Sequence, residues 1–347
     1  MVRGVSGSSL AWAGGPAPAA GPGDWLPSAS LEALRARAGI LRRIRGFFDA
    51  RGVWEVETPL LAAATATDPA LASLETRCTA PGAPAVLYLQ TSPEHAMKRL
   101  LAAGSGSIYQ ITRAFRDGEA GRLHNPEFTL LEWYRVGFDE HALMEEVEAL
   151  VREALAGFRA FPPRPFRRVG YREAFRETLG LDPARADARA LARAARAEGL
   201  EPAGDLVRDR AALEAWLLGC VVVPRLSGAG PVFVHAWPAE QAALARVRPG
   251  APPTAARFEL FVDGLELANG YHELADPHEQ RLRIERDRRH RRAAGLPVPP
   301  VDGRLLAALE AGLPDCAGVA LGVDRLVMVA LGLGDIRAAM AFPLERA

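Results

Sequence analysis

The segment FRDGEAGRLHNPEFTLLEWYR, residues 115–135, crowds Arg116, Asn125, Glu127, Glu132 and Tyr134 into a hairpin-sized stretch. Its second half reads as a strand. Alternation puts Phe128, Leu130, Glu132 and Tyr134 on one face and Glu127, Thr129, Leu131 and Trp133 on the other. An acid and a phenol two residues apart on an otherwise apolar face make a pocket for a cation. The carboxylate would pair with an ammonium, and the ring would supply a wall and a hydroxyl. Solvated acids at a sheet edge would give the same spacing. Arg116 ends the facing strand, where it can neutralise a phosphate; alone, it is equally an ordinary surface arginine.

The flanking sequence supplies the frame. Upstream, SIYQITRAF is an amphipathic strand, and AVLYLQTSPEHAMKRLLAAG is a strand, a turn at Ser92-Pro93 and a helix with Glu94 in its first turn. Earlier still, Ser30 caps a helix whose stripe is Leu34, Ala38, Leu41, Ile44 and Phe48. VWEVETPLL then forms a short strand stopped by Pro59. Downstream, residues 139–160 are helical, and 163–255 read as a helical, Arg/Ala-rich insertion that packs and shapes the surface. RFELFVDGLELANGYHEL folds as two strands about Asp263-Gly264. Residues 277–293 make a helix, and GVALGVDRLVMVALG runs from strand into helix. Hairpins with helices at their ends, and no βαβ alternation, define an α+β fold on an antiparallel sheet flanked by helices.

Two further clusters carry chemistry. Glu266 and Glu273 flank Asn269-Gly270. Neighbouring carboxylates suit Mg²⁺ held together with nucleotide phosphates, although a solvated hairpin has the same spacing. Gly322 and Arg325 stand where a strand enters a helix, a position that favours anions.

Bulk properties narrow the class. The 347 residues are 49% hydrophobic and 24% charged, enough for a sizeable core. With 42 basic and 42 acidic residues the formal charge is zero, which argues against a protein that coats nucleic acid. All the basic residues but Lys98 are arginine, a composition expected of a GC-rich genome. Cys78, Cys220 and Cys316 form no CxxC pair, which points to a reducing cytoplasm and no zinc site. No apolar run reaches the length of a membrane span. Residues 1–24, rich in Gly, Ala and Pro, read as a flexible tail rather than a signal peptide.

In their order along the chain, the Pro59-ended helix and strand, FR…HNPEF, the acid-bearing strand and GVDR resemble motifs 1, 2 and 3 of class II aminoacyl-tRNA synthetases. TSPE, HNPEFT, ELANGYHEL and GVDRL are similar to the lysyl-tRNA synthetase branch. The resemblance covers residues 25–347 and implies a class II catalytic domain. Only about 30 residues, without strand pattern, precede motif 1, so no anticodon-binding OB domain is expected. LEWYR, AAGLPVPP and GLPDCAGVALGVDRLVM resemble the short paralogues of that branch, which act on elongation factor P. Ala320 stands where the tRNA enzymes carry glycine, a change that accompanies preference for (R)-β-lysine over α-lysine.

The resemblance also implies roles. Ser92, Pro93 and Glu94 would contact the amino acid, and Glu132, Tyr134 and Glu273 would line its pocket. Arg116 would clamp the α-phosphate of ATP, with Asp117, Asn125, Glu266, Leu267 and Gly322 around the nucleotide. Arg325 would pair with the far phosphates, and Glu266 and Glu273 would hold Mg²⁺. Pro59 would lie at a homodimer interface. The chain departs from the family at Arg116-Asp117-Gly118-Glu119, where Gly118 lacks the side chain that normally reads adenine; Glu119 or the backbone is left to do so. The implied reaction is ATP-dependent formation of a lysyl adenylate and transfer to a lysine of elongation factor P, in the cytoplasm, with neither tRNA nor membrane. Alternatives are a tRNA or small-molecule acceptor, or a binding paralogue without catalysis. The segment RLRIERDRRHRR, residues 281–292, would serve RNA or an acidic protein surface, or be a solvated mixed-charge helix.

Overall fold

The computed structural model describes Gly23 and residues 25–204 and 206–347. Apart from Gly23, the tail expected over residues 1–24 lies outside the described residues.

The chain begins with α1 (Leu31–Asp49), whose first turn is capped by the Ser30 hydroxyl accepting from Ala33 N. Its buried side carries Ile40, Ile44, Phe47 and Phe48, while Ala38 of the expected stripe is exposed. Then follow β1 (Trp54–Glu55), β2 (Leu61–Ala62), β3 (Glu75–Arg77), β4 (Val86–Leu89) and α2 (Glu94–Ala102). The hairpin of β5 (Ile108–Phe115) and β6 (Glu127–Val136) leads into α3 (Glu140–Ala154). The insertion holds β7 (Arg167–Gly170), α4 (Tyr171–Leu179), α5 (Ala188–Ala197), α6 (Arg210–Leu217), α7 (Val223–Ser227), β8 (Val232–Pro238) and β9 (Val247–Arg248). Next come β10 (Thr254–Val262), β11 (Leu265–His272), α8 (Pro277–Ala293), α9 (Gly303–Gly312), β12 (Cys316–Gly322) and α10 (Val323–Leu331).

Among the described residues the main sheet has nine strands, in the order β1-β5-β6-β12-β11-β10-β8-β7, with β9 beside β10. Its interior pairings are antiparallel, and the outer pairs β1·β5 and β7·β8 are parallel. The segment 163–255 is therefore not purely helical. VFVHAWP pairs with β10 and brings β7 with it, so the insertion widens the sheet and builds its own core around Phe175, Leu213 and Val222.

One face of the sheet packs against α1, α3 and α10 through Leu131, Trp133, Phe258, Leu260 and Val319. Apolar burial of this kind contributes about 25 cal/mol per Å². Asp324 fastens that layer: it pairs with Arg37 at 2.7 Å and accepts from Thr129 N at 2.7 Å. The other face of the sheet forms the floor of a cavity.

Candidate active site

The cavity holds about 720 Å³ and is walled by β6, β11, β12, α2, α8 and the loop between β2 and β3. Alternation along β6 delivers Phe128, Leu130, Glu132 and Tyr134 to it while Leu131 and Trp133 enter the core. The β5–β6 loop supplies Arg116, and a turn at Asp117-Gly118, with Gly118 at φ +76°, follows. Asp117 emerges exposed and does not line the cavity, whereas Glu119 does.

Glu266 and Glu273 are seven residues apart, so an unbroken strand would put them on opposite faces. A bulge resolves this. Leu260 pairs with Ala268 but Phe261 pairs with Glu266, which leaves Leu267 as an extra residue in β11. Glu266, Asn269, Tyr271 and Glu273 consequently all reach the cavity, as does Leu267.

The cavity has an acidic end. Lys98, the chain's one lysine, is 2% exposed and ion-paired to Glu94 and to Glu273, each at 2.6 Å. Tyr134 donates to Glu132 Oε1 at 2.8 Å, and Glu132 Oε2 is buried without a partner. Three carboxylates therefore cluster about one ammonium, which pairs with two of them. Burial, reinforced by the charge of Glu94, pushes the Glu132 carboxyl up to about 8. Burial likewise lifts Glu273 to about 7, against the pull of Lys98. The carboxylates outweigh burial at Lys98 and hold its ammonium well above the usual lysine range. β12 makes room for this cluster: a Cβ on Gly318 would collide with the Tyr134 ring and the Glu273 carboxylate. Ala320, opposite Glu132 in the β12·β6 register, also faces the cavity. Ser92 and Pro93 line the same end, and Ser92 Oγ accepts from Glu94 N at 3.3 Å.

The other end is basic. Arg116 lies over the Phe128 ring at 5.1 Å and has a buried, unpartnered Nε. Arg325 is held by the Glu266 carbonyl at 2.9 Å and by His124 Nε2 at 2.8 Å. Burial, followed by the Arg325 charge, lowers the His124 pKa. Gly322 lines the wall beside Arg325. Asn125 is on the wall too, but its side chain is used by the backbone: Nδ2 donates to the Glu127 carbonyl at 2.6 Å and Oδ1 accepts from Leu344 N at 3.1 Å. These two bonds fix the Asn125 side chain on the cavity wall and leave its second amide hydrogen unused.

Glu266 and Glu273, the expected metal pair, have different immediate neighbours. Glu273 is neutralised by Lys98 at the acidic end, and the carboxylate that feels Glu266 is Glu259. Glu259 is 6% exposed, is held by Arg257 at 2.5 Å and Asn269 at 3.2 Å, and is raised to about 7 by burial and then by Glu266. Asn269 Oδ1 is buried without a partner. Glu266 and this orphan carbonyl are hard oxygen donors of the kind Mg²⁺ takes, while Glu259 and Glu273 each already carry a cationic partner. Among the described residues no cluster of three acidic, histidine or cysteine side chains suits a metal, so phosphate or water oxygens would have to complete the shell.

Sequence reasoning passed over Glu259, Lys98 and two arginines of the basic helix. Glu259 sits in an apolar strand run, but its alternation with Phe258 and Leu260 marks it as facing away from the core. Lys98 lies one helical turn after Glu94, a spacing that signals an ion pair. Arg283 is buried against the carbonyls of Ala243 and Ala245, and Arg291 against those of Thr67, Asp68, Leu71 and Pro297. Part of the segment 281–292 thus clamps loops around the cavity instead of forming a free basic surface.

Comparison with known proteins agrees with this architecture. The family model for class II tRNA synthetases (D, K and N) matches residues 24–346. An elongation factor P--(R)-beta-lysine ligase of Vibrio cholerae is 49% identical over 326 residues, covering 93% of this chain and 99% of that one. Ligases of the same name from Klebsiella pneumoniae and Proteus mirabilis are 48% and 49% identical, covering 93% of this chain and 98% of theirs.

Proposed function

The chain belongs to the class II tRNA synthetase family and is an ATP-dependent amino-acid ligase; from that premise we propose that it activates (R)-β-lysine as an adenylate and transfers it to a lysine side chain of elongation factor P. The observation that carries this reading is the acidic end, where Glu94 and Glu273 pair with one ammonium and Glu132 is buried beside them without a cation of its own. The cluster is short of positive charge, and the two ammonium groups of a lysine isomer supply it. Substrate binding relieves the strain that keeps Glu132 protonated.

The substrate carboxylate then lies toward Arg116 and attacks the α-phosphate in line, expelling pyrophosphate. Arg116 stabilises charge developing on the phosphorus oxygens, and Arg325 holds the far phosphates. Bound Mg²⁺, held by Glu266 and the Asn269 carbonyl with Glu273 or Glu259 released from its cationic partner, would neutralise charge on the phosphate chain. No protein nucleophile is required; positioning and electrostatics supply the acceleration. With Gly118 unable to read adenine, Glu119 and the loop backbone are the groups within reach.

The remaining parts of the reading concern assembly. Homodimerisation through the segment around Pro59 is supported by Trp54 and Leu61, 66% and 44% exposed. No helix among the described residues is long and apolar enough to cross a membrane, and we take the cytoplasm as the site of action. The inward-facing Arg283 and Arg291 support a protein acceptor over tRNA. Pyrophosphate exchange tests the activation step. Exchange should depend on (R)-β-lysine and be weaker with α-lysine; no exchange with either isomer would contradict the reading.

A further inference from the structure

The transfer step raises a problem that the groups assigned so far do not solve. A lysine side chain arriving as acceptor is an ammonium. At pH 7.5 only about one in a thousand has a free lone pair. It must lose a proton before its nitrogen can attack the adenylate carbonyl.

Most basic groups in the cavity are already engaged. Glu94 and Glu273 are paired with Lys98, and Glu132 with Tyr134. Glu119 faces Arg116 at 3.7 Å, and His124 Nε2 is taken by Arg325. His95 differs. It lines the cavity from α2, and its Nδ1 lies 3.1 Å from Asp302 Oδ2. Asp302 is itself fixed, because its Oδ1 caps α9 by accepting from Arg304 N and Leu305 N at 3.0 and 3.1 Å. Although burial opposes it, the His95 hydrogen bond and these amides hold the Asp302 carboxyl down at about 2. An ionised Asp302 accepts from Nδ1–H, so the neutral tautomer it selects carries its lone pair on Nε2. Among the described residues Nε2 has no hydrogen-bond partner. The surrounding charged groups are Asp302 at the α9 cap, Glu94, Lys98 and Arg99 on α2, and Arg286 and Asp287 on the cavity wall from α8.

We propose that His95, oriented by Asp302, is the base that deprotonates the acceptor lysine in the transfer step, an inference that rests on the ligase reading above. The ammonium gives one proton to Nε2, and the freed amine attacks the carbonyl carbon. The new C–N bond forms as the C–O bond to AMP breaks. AMP leaves as its phosphate anion, the amide nitrogen releases its second proton to solvent, and Nε2 returns its proton to solvent.

The test separates this role from a structural tie between α2 and α9. Adenylate is preformed on wild type and on His95→Asn, whose amide can still donate to Asp302. It is then mixed with one of three acceptors: elongation factor P, Nα-acetyl-lysine amide, or hydroxylamine, which is already unprotonated at neutral pH. Transfer to both lysine acceptors at pH 7.5 should slow about 100-fold in the variant, and capture by hydroxylamine by less than threefold. Wild-type transfer should rise through a histidine titration that the variant lacks. Asp302→Asn, which keeps a helix-capping side chain, should slow lysine transfer about tenfold. An equal fall with all three acceptors, or lysine transfer within threefold of wild type with the titration retained, would overturn the proposal. The small acceptor reads the base step independently of the factor, so a factor left unmodified by wild type would refute the assigned acceptor without hiding the result for His95.

Discussion

At the acidic end of the cavity three carboxylates share Lys98 and a phenol, all within the sheet floor and α2, and Glu94, the most exposed of the four charged groups, shows 17% of its side chain. At the basic end Arg116 and Arg325 are 28% and 21% exposed, and Arg325 rests on a backbone carbonyl and a neutral histidine. The first region is left electrostatically incomplete and is finished by a substrate cation. The second is assembled before any nucleotide arrives. On the proposed reading, selectivity for the amino acid would come from desolvated charge, where one change is costly, and capture of ATP from partly solvated donors, where the cost falls on rate.

That contrast can be broken most severely at Lys98. Lys98→Met leaves Glu94 and Glu273 buried without their counter-ion, and should destabilise the fold by about 3–5 kcal/mol in denaturant unfolding. A loss below about 1 kcal/mol would mean that the acidic end is not held by this ammonium. Arg116→Ala should leave the fold intact and slow adenylate formation about 10²–10³-fold, with pyrophosphate exchange as the measurement.

A gentler probe is pH. The folded carboxyl of Glu132, at about 8, lies above its unfolded value, so the folded protein binds the extra proton through the intervening range. The substrate-free protein should therefore lose stability as pH rises from 5 to 8. Glu132→Gln should flatten that slope without abolishing it, because Glu273, at about 7, acts with the same sign. Melting temperatures of both proteins at pH 5.5 and 8 give the answer. The smallest effect belongs to Asp117→Ala. Its side chain is exposed and outside the cavity lining, so the KM for ATP should stay within about threefold.

How legible this was in the sequence varied with the range of the interactions involved. The β5–β6 hairpin could be read from local alternation, and its faces are those the structure shows. The β10–β11 turn was equally plain: Asp263 and Gly264 both adopt positive φ, as their dipeptide demands. What stayed hidden depends on distant partners. RRVG of β7 carries no strand pattern and is a strand only because β8 runs beside it. The pairing of Lys98 with Glu94 follows from helical spacing, but its pairing with Glu273, far along the chain, does not. The bulge at Leu267 reverses the alternation rule and brings Glu266 and Glu273 to the same cavity, and it leaves Glu259 close enough to feel Glu266. Arg283 and Arg291 look like surface charge and instead hold loop carbonyls.

The central claim is that the acidic end and the basic end meet across one cavity to charge a protein lysine with β-lysine. The most direct measurement is the intact mass of elongation factor P after incubation with this enzyme, ATP, Mg²⁺ and (R)-β-lysine. The account predicts a gain of one β-lysyl residue, absent without ATP. A factor of unchanged mass, in a reaction where pyrophosphate exchange shows that the adenylate forms, would contradict it.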